Sequence, residues 1–360
     1  MKTRWRSFAW PRTISARWLV AIGVAIHLVL AMSAELSPDE AHYALYGAHL
    51  DWSYFDHPPL VGWLQAPFVA IGGADLLMRV VPMASWLLTV QLMLVLCRRL
   101  PLNDRASPAS PSSLDAWVAL MLLVSPLLNL LGVALVPDTL LMPIVPAAMS
   151  ATWALRNIES ARNWRRWLVL SSLLGVSLLA KYTGIFIVIG ALISLGSTHG
   201  FKLLRLPGFW LAVLVVAGIG SPIIVWNATN HWASFVYQAD HAAGDKAWQI
   251  RSTLRAIALQ LALYGLLLPV ALFGALKEAP SDSVAQGLSR FDSTRKLCIA
   301  FGVPVLVVFS VMAGRGASLP HWTACGWIAL VPLAGLRAVS CGTRHLTFGR
   351  RRRTDEPADA

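Results

Sequence analysis

Ten apolar runs of about 15–22 residues constrain this chain more than any other feature, because that length lets a helix cross a hydrocarbon core. They lie at about 17–34, 78–97, 114–134, 139–155, 167–180, 184–199, 208–226, 255–276, 297–313 and 322–338. In lipid every backbone polar group needs an internal partner, so only helices and closed barrels span. No series of alternating ten-residue strands points to a barrel. Composition agrees, with 56% hydrophobic and 13% charged residues. Soluble domains carry about a quarter charged. The expected fold class is an all-α polytopic membrane protein with about ten transmembrane helices. The first run follows Lys2, Arg4, Arg6, Arg12 and Arg17 and is read as a retained helix, not a cleaved leader.

The net charge of +12 could suggest nucleic acid, but its distribution points elsewhere. With ten spans, 24 of the 30 Lys and Arg fall in alternate connections and both termini. This is a positive-inside pattern, so both termini are expected in the cytoplasm. The Arg350–Arg353 run suits lipid headgroups, and no basic-aromatic reading surface for nucleic acid is present. Segments 103–113 and 278–294 read as polar linkers on the basic side. The expected organisation is one membrane domain over 1–338, with a first outer loop at 35–77, and a basic, disordered tail over 339–360. Cys97, Cys298, Cys325 and Cys341 lie in or beside spans and read as small apolar residues.

The opposite face has another character. It holds nine of the 18 acids and six of the nine histidines, so chemistry is expected there. Ser37-Pro-Asp-Glu has the form of a helix start, with Ser37 as cap, Pro38 at the first position and Glu40 closing a capping box. The residues that follow suit a short amphipathic helix on the membrane surface. Glu40 thereby gains a structural role. Asp39 suits the first turn as well, yet it could also take a proton from a hydroxyl held against it.

Tyr54-Phe-Asp-His-Pro-Pro59 displays Asp56 and His57 on a stiff, extended turn. Both residue types suit metal or phosphate contacts, and a polar interfacial turn is the plainer reading. Asp138, after Pro137, caps a helix or joins Asp39 and Asp56 around a divalent cation or a polar acceptor. Lys181 stands on the outer face, either snorkelling to lipid phosphate or meeting an anionic lipid-linked substrate. His231-Trp232, with Asn227, and His321-Trp322 place His-Trp pairs at outer helix ends. The Trp rings suit an interfacial belt or a sugar-stacking role.

These residues carry a resemblance. Asp39-Glu40, Tyr54-Phe-Asp-His-Pro-Pro59, Pro137-Asp138, Lys181-Tyr-Thr-Gly, Ser221-Pro-x-x-x-Trp-Asn227 and His321-Trp322 resemble bacterial membrane glycosyltransferases of the protein-O-mannosyltransferase/aminoarabinose-transferase superfamily. The likeness extends over about residues 20–335. It implies a GT-C fold with amphipathic periplasmic helices in the first outer loop. It also implies inverting transfer of a sugar from a polyprenyl-phosphate donor to an envelope acceptor at the periplasmic face of the bacterial inner membrane. Lipid A, another glycan, a lipid and a protein are the candidate acceptors, and no nucleotide cofactor is expected.

By this resemblance Asp39 is the acceptor-activating base, and Asp56 and Asp138 hold a divalent metal or arrange the site. His57 stands where some members carry a phosphate-binding lysine, and Lys181 is expected to share that role. Glu40, Tyr54, Asn227, His231, His321 and Trp322 are candidate sugar or acceptor contacts. Known members commonly continue into further helices or a periplasmic domain. The competing reading is a transporter or flippase of a lipid-linked sugar. Such proteins commonly show paired repeats with mid-span breaks. Here Pro126, Pro143 and Pro146 supply breaks, but no repeat is visible and the acids cluster at outer helix ends. A non-catalytic scaffold is a third reading, disfavoured by the number of outer acids and histidines.

Overall fold

A computed structural model of the protein describes residues 15–100, 111–243, 247–265, 268–270, 272–273, 285–316 and 318–354. No strand occurs among the described residues. The longer helices are α1 (Ala16–Ser33), α2 (Pro38–Ala48), α3 (Leu60–Ala70), α4 (Val80–Arg99) and α5 (Pro111–Leu123). They continue as α6 (Pro137–Ala154), α7 (Trp164–Ala180), α8 (Ile185–His199), α9 (Pro207–Thr229) and α10 (Ala233–Ala243). Last come α11 (Ile250–Leu263), α12 (Ala285–Met312) and α13 (Ala324–Thr354).

By length and composition, six helical stretches among the described residues could cross a membrane: Ala16–Ser33, Asp75–Arg99, Tyr182–Arg205, Pro207–Thr229, Asp292–Arg315 and Pro320–Val339. The other runs also fall on helices but are shorter, more polar or only partly described. Run 255–276 follows α11 and then reaches past the described residues. Most of the 103–113 linker, part of 278–294 and residues 355–360 likewise lie outside them. The backbone of α13 is helical through Thr354, so helix continues beyond 338, where a separate tail is expected from sequence.

The centre of the bundle is α6, which packs against α4, α7, α8, α12 and α13. Its buried side chains include Leu141, Met142, Val145, Ala148 and Met149, so it is apolar on every side, as a surrounded helix must be. Pro143 and Pro146 stand inside it, where neighbouring helices offset the lost backbone bonds.

Pro126 breaks the 114–134 run after α5 and leaves carbonyls without helical partners. The Asn129 amide repairs this by donating to Leu123 O at 2.6 Å and Ser125 O at 2.8 Å. Its oxygen lies 3.0 Å from His27 Nε2, on a ring that packs edge-on to Trp86. The Asn129 side chain and the His27 ring thus satisfy each other inside the bundle, while the buried Trp86 Nε1 beside them has no hydrogen-bond partner.

Between α1 and α4, the chain folds α2 and α3 into a close helical pair. The capping box forms: Glu40 N–H donates to Ser37 Oγ at 3.3 Å, and Ser37 N–H donates to Glu40 Oε2 at 2.9 Å. A side chain at Gly47 would come within 3.0 Å of Gln65 and Val69, so the close approach of α2 and α3 needs a glycine there.

Candidate active site

Asp39 and Glu40 are neighbours in the first turn of α2, but the helix points them apart. Glu40 is buried, and its Oε1 receives the Arg79 Nε–H at 3.0 Å. Arg79 also donates to Glu40 Oε2 at 3.2 Å and to the carbonyls of Ala31, Ala34 and Glu35 at 3.0, 2.6 and 2.7 Å. Burial pushes the Glu40 carboxyl up, but Arg79 and the cap bonds outweigh it and hold the group below its usual range. Both Glu40 oxygens are thus occupied in joining α1, α2 and the start of α4. Asp39 is exposed and makes no ion pair among the described residues.

The second element is the turn after α2. The hydroxyl of Tyr46, in the last turn of α2, donates to Asp56 Oδ1. His57 Nδ1 lies 2.9 Å and His42 Nε2 3.4 Å from Asp56 Oδ2. Burial raises the Asp56 carboxyl, but His57, Tyr46 and His42 more than offset that and hold it at about 2. Tyr46 itself is pushed well above the phenol range, by burial and then by Asp56, so it remains a neutral donor.

The sign of the Asp56 shift sets a pH prediction. A depressed carboxylate adds stability above its unfolded value of 3.8 and loses it as pH falls towards about 2. The difference corresponds to about 2 kcal/mol. Asp56→Asn should lower thermal stability at neutral pH by an amount of that order, and the gap from wild type should close as pH falls below 3.8. A gap that stays constant on acidification would show that the carboxylate charge is not what holds the turn.

The third element comes from later helices. Asp138, in the first turn of α6, is buried and receives the Lys181 ammonium at 2.5 Å. Lys181 follows α7 in an extended conformation and is itself buried. Its Nζ lies 5.7 Å from the centre of the Trp322 ring, a cation–π arrangement. His321 Nε2 approaches the same Asp138 oxygen at 3.6 Å.

Tyr43 ties the three elements together. It is buried on α2, its ring meets His57 edge-on at 5.6 Å, and it feels the charges of Asp56, Asp39 and Asp138. Burial and then these three carboxylates push its hydroxyl well above the phenol range. His321 lies in the combined field of Asp138, Lys181, Asp39 and His57. Residues from three distant parts of the sequence therefore face one locus at the acidic end of the bundle.

The donor set at this locus does not fit a divalent cation. Asp138 is neutralised by Lys181, and Asp56 is taken up by Tyr46 and two histidines. Among the described residues no group of three or more His, Cys, Asp or Glu is placed to hold a metal.

Several other sequence candidates occupy framework positions. Tyr54 stacks on Tyr46 at 3.7 Å, and its hydroxyl donates to Tyr46 O at 2.8 Å. Asn227 is fully buried at the end of α9, where its Oδ1 accepts from Ser234 N–H at 3.1 Å. That bond steadies the turn formed by His231 and Trp232, both left-handed with φ of 56° and 58°. Each such non-glycine residue costs about 1–2 kcal/mol. The turn aims α10 back onto the first loop, where Ser234 Oγ donates to Tyr54 O at 2.7 Å and Gln238 Nε2 to Asp56 O at 2.6 Å. His231 is exposed at this turn.

Tyr43, Tyr46, His42 and Arg79 are absent from the candidates read from sequence. Their signal was present: His42 and Tyr46 are four apart, and Tyr43 and Tyr46 three apart, on one helical face. Arg79 is one of the few cations against the positive-inside trend.

Residues 56–226 match the family described as dolichyl-phosphate-mannose-protein mannosyltransferase. The lipid A galacturonosyltransferase RgtD of Rhizobium johnstonii is 21% identical over 320 residues, covering 88% of this chain and 64% of that protein. ArnT from Cupriavidus metallidurans in the apo state is similar in structure, with a TM-score of 0.65 and 19% identity over 89% of this chain and 60% of that one. Its undecaprenyl phosphate-bound form gives a TM-score of 0.64 and 20% identity, over 89% of this chain and 59% of that one. The chain therefore spans less than two-thirds of the length of these relatives. Residues 56–226 thus resemble that mannosyltransferase family, and the fold shared with ArnT over 89% of the chain is an all-α GT-C membrane fold.

Proposed function

We propose that this chain transfers a sugar from a polyprenyl-phosphate donor to an envelope acceptor, with lipid A the first to test, at the periplasmic face of the inner membrane. The observation that carries the reading is the convergence of Asp39, the Asp56–His57 turn and the Asp138–Lys181 pair around Tyr43. Asp39 is the carboxylate left available for chemistry, because Asp56 and Asp138 are committed to ion pairs. In the reaction, Asp39 accepts the proton of the acceptor hydroxyl as its oxygen forms a bond to the anomeric carbon. The bond from that carbon to the phosphate oxygen breaks, its electron pair leaves with the phosphate, and the sugar carbon inverts.

Lys181 supplies positive charge, and Lys181 and His57 offer N–H donors, to the departing phosphate. Tyr43, kept protonated, adds a neutral hydroxyl on a ring that packs against His57. Asp138 orients Lys181 without removing its remaining donors. A donor with a long isoprenoid tail suits this place, at the ends of lipid-facing helices. The undecaprenyl phosphate bound by ArnT supports the donor class, and the lipid A galacturonosyltransferase activity of RgtD supports lipid A as acceptor.

The test is mass spectrometry of envelope lipids and glycans from cells with the protein, without it, and with Asp39→Asn. Wild type should add the mass of one sugar to an envelope component, and the other two samples should lack it. Identical envelope profiles, together with flipping of a lipid-linked sugar by liposomes carrying the protein, would replace this reading with transport.

A further inference from the structure

At the end of the bundle opposite the carboxylates, α6, α8 and α12 enclose a cavity of ≈ 320 Å³. Its wall includes Thr152, Arg156, Asn157, Ser194, Ser293 and Lys296, with no carboxylate among the described lining residues. At 1.5 Å per helical residue, it lies roughly 20–25 Å along α6 from Asp138. It is therefore a separate site.

Three observations give the cavity a chemistry. The Arg156 guanidinium lies 4.0 Å from the centre of the Trp153 ring, a stack that fixes the direction of its planar fork. Lys296 brings a second cation, with Asp292 2.6 Å from its ammonium and its side chain 62% exposed. One acidic neighbour leaves further N–H donors on the ammonium. Thr152 is 1% exposed, and its hydroxyl has no hydrogen-bond partner. Buried hydroxyls in helices ordinarily bond back to a carbonyl or find another partner, so the unpartnered hydroxyl of this wall residue is one that a ligand in the cavity would satisfy on a turn of the Thr152 side chain.

We propose that this cavity binds a phosphate group through Arg156, Lys296 and the Thr152 hydroxyl. Arginine and lysine match phosphate oxygens, and basic pockets between spans on the positive face commonly take anionic lipid headgroups. The volume suits a headgroup or a small phosphate compound, near the lower end of ligand pockets. The phosphate comes either from an anionic lipid or from a soluble compound.

The experiment uses the full chain in detergent. Native mass spectrometry compares retention of cardiolipin, phosphatidylglycerol and phosphatidylcholine, and thermal melting of delipidated protein compares inorganic phosphate with chloride at equal ionic strength. Selective retention of an anionic lipid, weakened about tenfold in Lys296→Gln, supports the lipid source, as expected for loss of a charge-assisted bond. Stabilisation by inorganic phosphate without lipid selection, lost in the same variant, supports the soluble source. Thr152→Val, nearly isosteric, should weaken the same binding severalfold. Equal behaviour of wild type and both variants towards every probe overturns the proposal. Neither readout requires sugar transfer, so the result stands or falls apart from the transferase reading.

Discussion

Asp39→Asn is expected to lower sugar transfer by at least about 100-fold, the lower range for loss of a general base, while leaving the protein as stable as wild type. The two halves of this expectation come from the same geometry. Asp39 is exposed and makes no ion pair among the described residues, so the folded state spends nothing on it. A surface substitution of that kind changes stability by about 0.5 kcal/mol or less. The helix start does not depend on it, because Ser37 and Glu40 form the cap.

The loss should appear in kcat and in kcat/KM alike, the pattern of an interaction made only in the transition state. Asp56→Asn and Asp138→Asn should behave differently. Each removes the partner of a held cation or donor, so melting temperature should fall along with activity. Full transfer by Asp39→Asn would remove it as the base and direct attention to Asp138 and His321, the next groups at the locus. A melting temperature several degrees below wild type would make any activity loss uninformative about chemistry.

What could be read from sequence depended on how far apart the interacting residues lie. The capping box of α2 is closed within four residues, so Ser37 and Glu40 announced it and the structure has it. The all-helical membrane fold follows from run lengths alone, which need no knowledge of packing. The partners of the acids were not legible. Arg79 meets Glu40 across 39 residues, and Lys181 meets Asp138 across 43. Nothing in a local pattern selects those pairs.

Helix facing was hidden for a related reason. α6 is apolar on every side, so periodicity cannot say which neighbours it meets. The metal expectation came from counting carboxylates by segment. Side-chain placement changes its meaning, because two of the three acids already have cationic or hydroxyl partners. The role of α10 was equally inaccessible, since its contact with the first loop runs through Ser234 and Gln238 to backbone carbonyls.

Arg79→Ala is expected to destabilise the protein by roughly 3–5 kcal/mol, the usual cost of leaving one member of a buried ion pair alone. Its guanidinium is 2% exposed and serves both Glu40 oxygens and three carbonyls around the end of α1. Truncation strands the buried Glu40 carboxylate and the buried Ala31 carbonyl without their donor. Arg79→Lys should recover only part of the loss, because one ammonium cannot reproduce a planar fork that reaches acceptors on two sides.

Glu40→Gln should cost less than Arg79→Ala. It keeps an acceptor for the cap and leaves Arg79 its carbonyls. The double variant should lie closer to Arg79→Ala than the sum of the singles, the signature of direct coupling. Acid should weaken the pair in wild type, since a depressed carboxylate contributes above its unfolded value of 4.5 and loses that contribution as pH falls through its folded value. Thermal melting in detergent measures each of these. A loss below about 1 kcal/mol in Arg79→Ala would mean that water or lipid headgroups replace the guanidinium, which would place this end of α1 at the interface. With the expected loss, sugar transfer should vanish too, although Arg79 touches no reacting group, because α2 carries Asp39, Tyr43 and Tyr46 and Arg79 is what holds its first turn against α1.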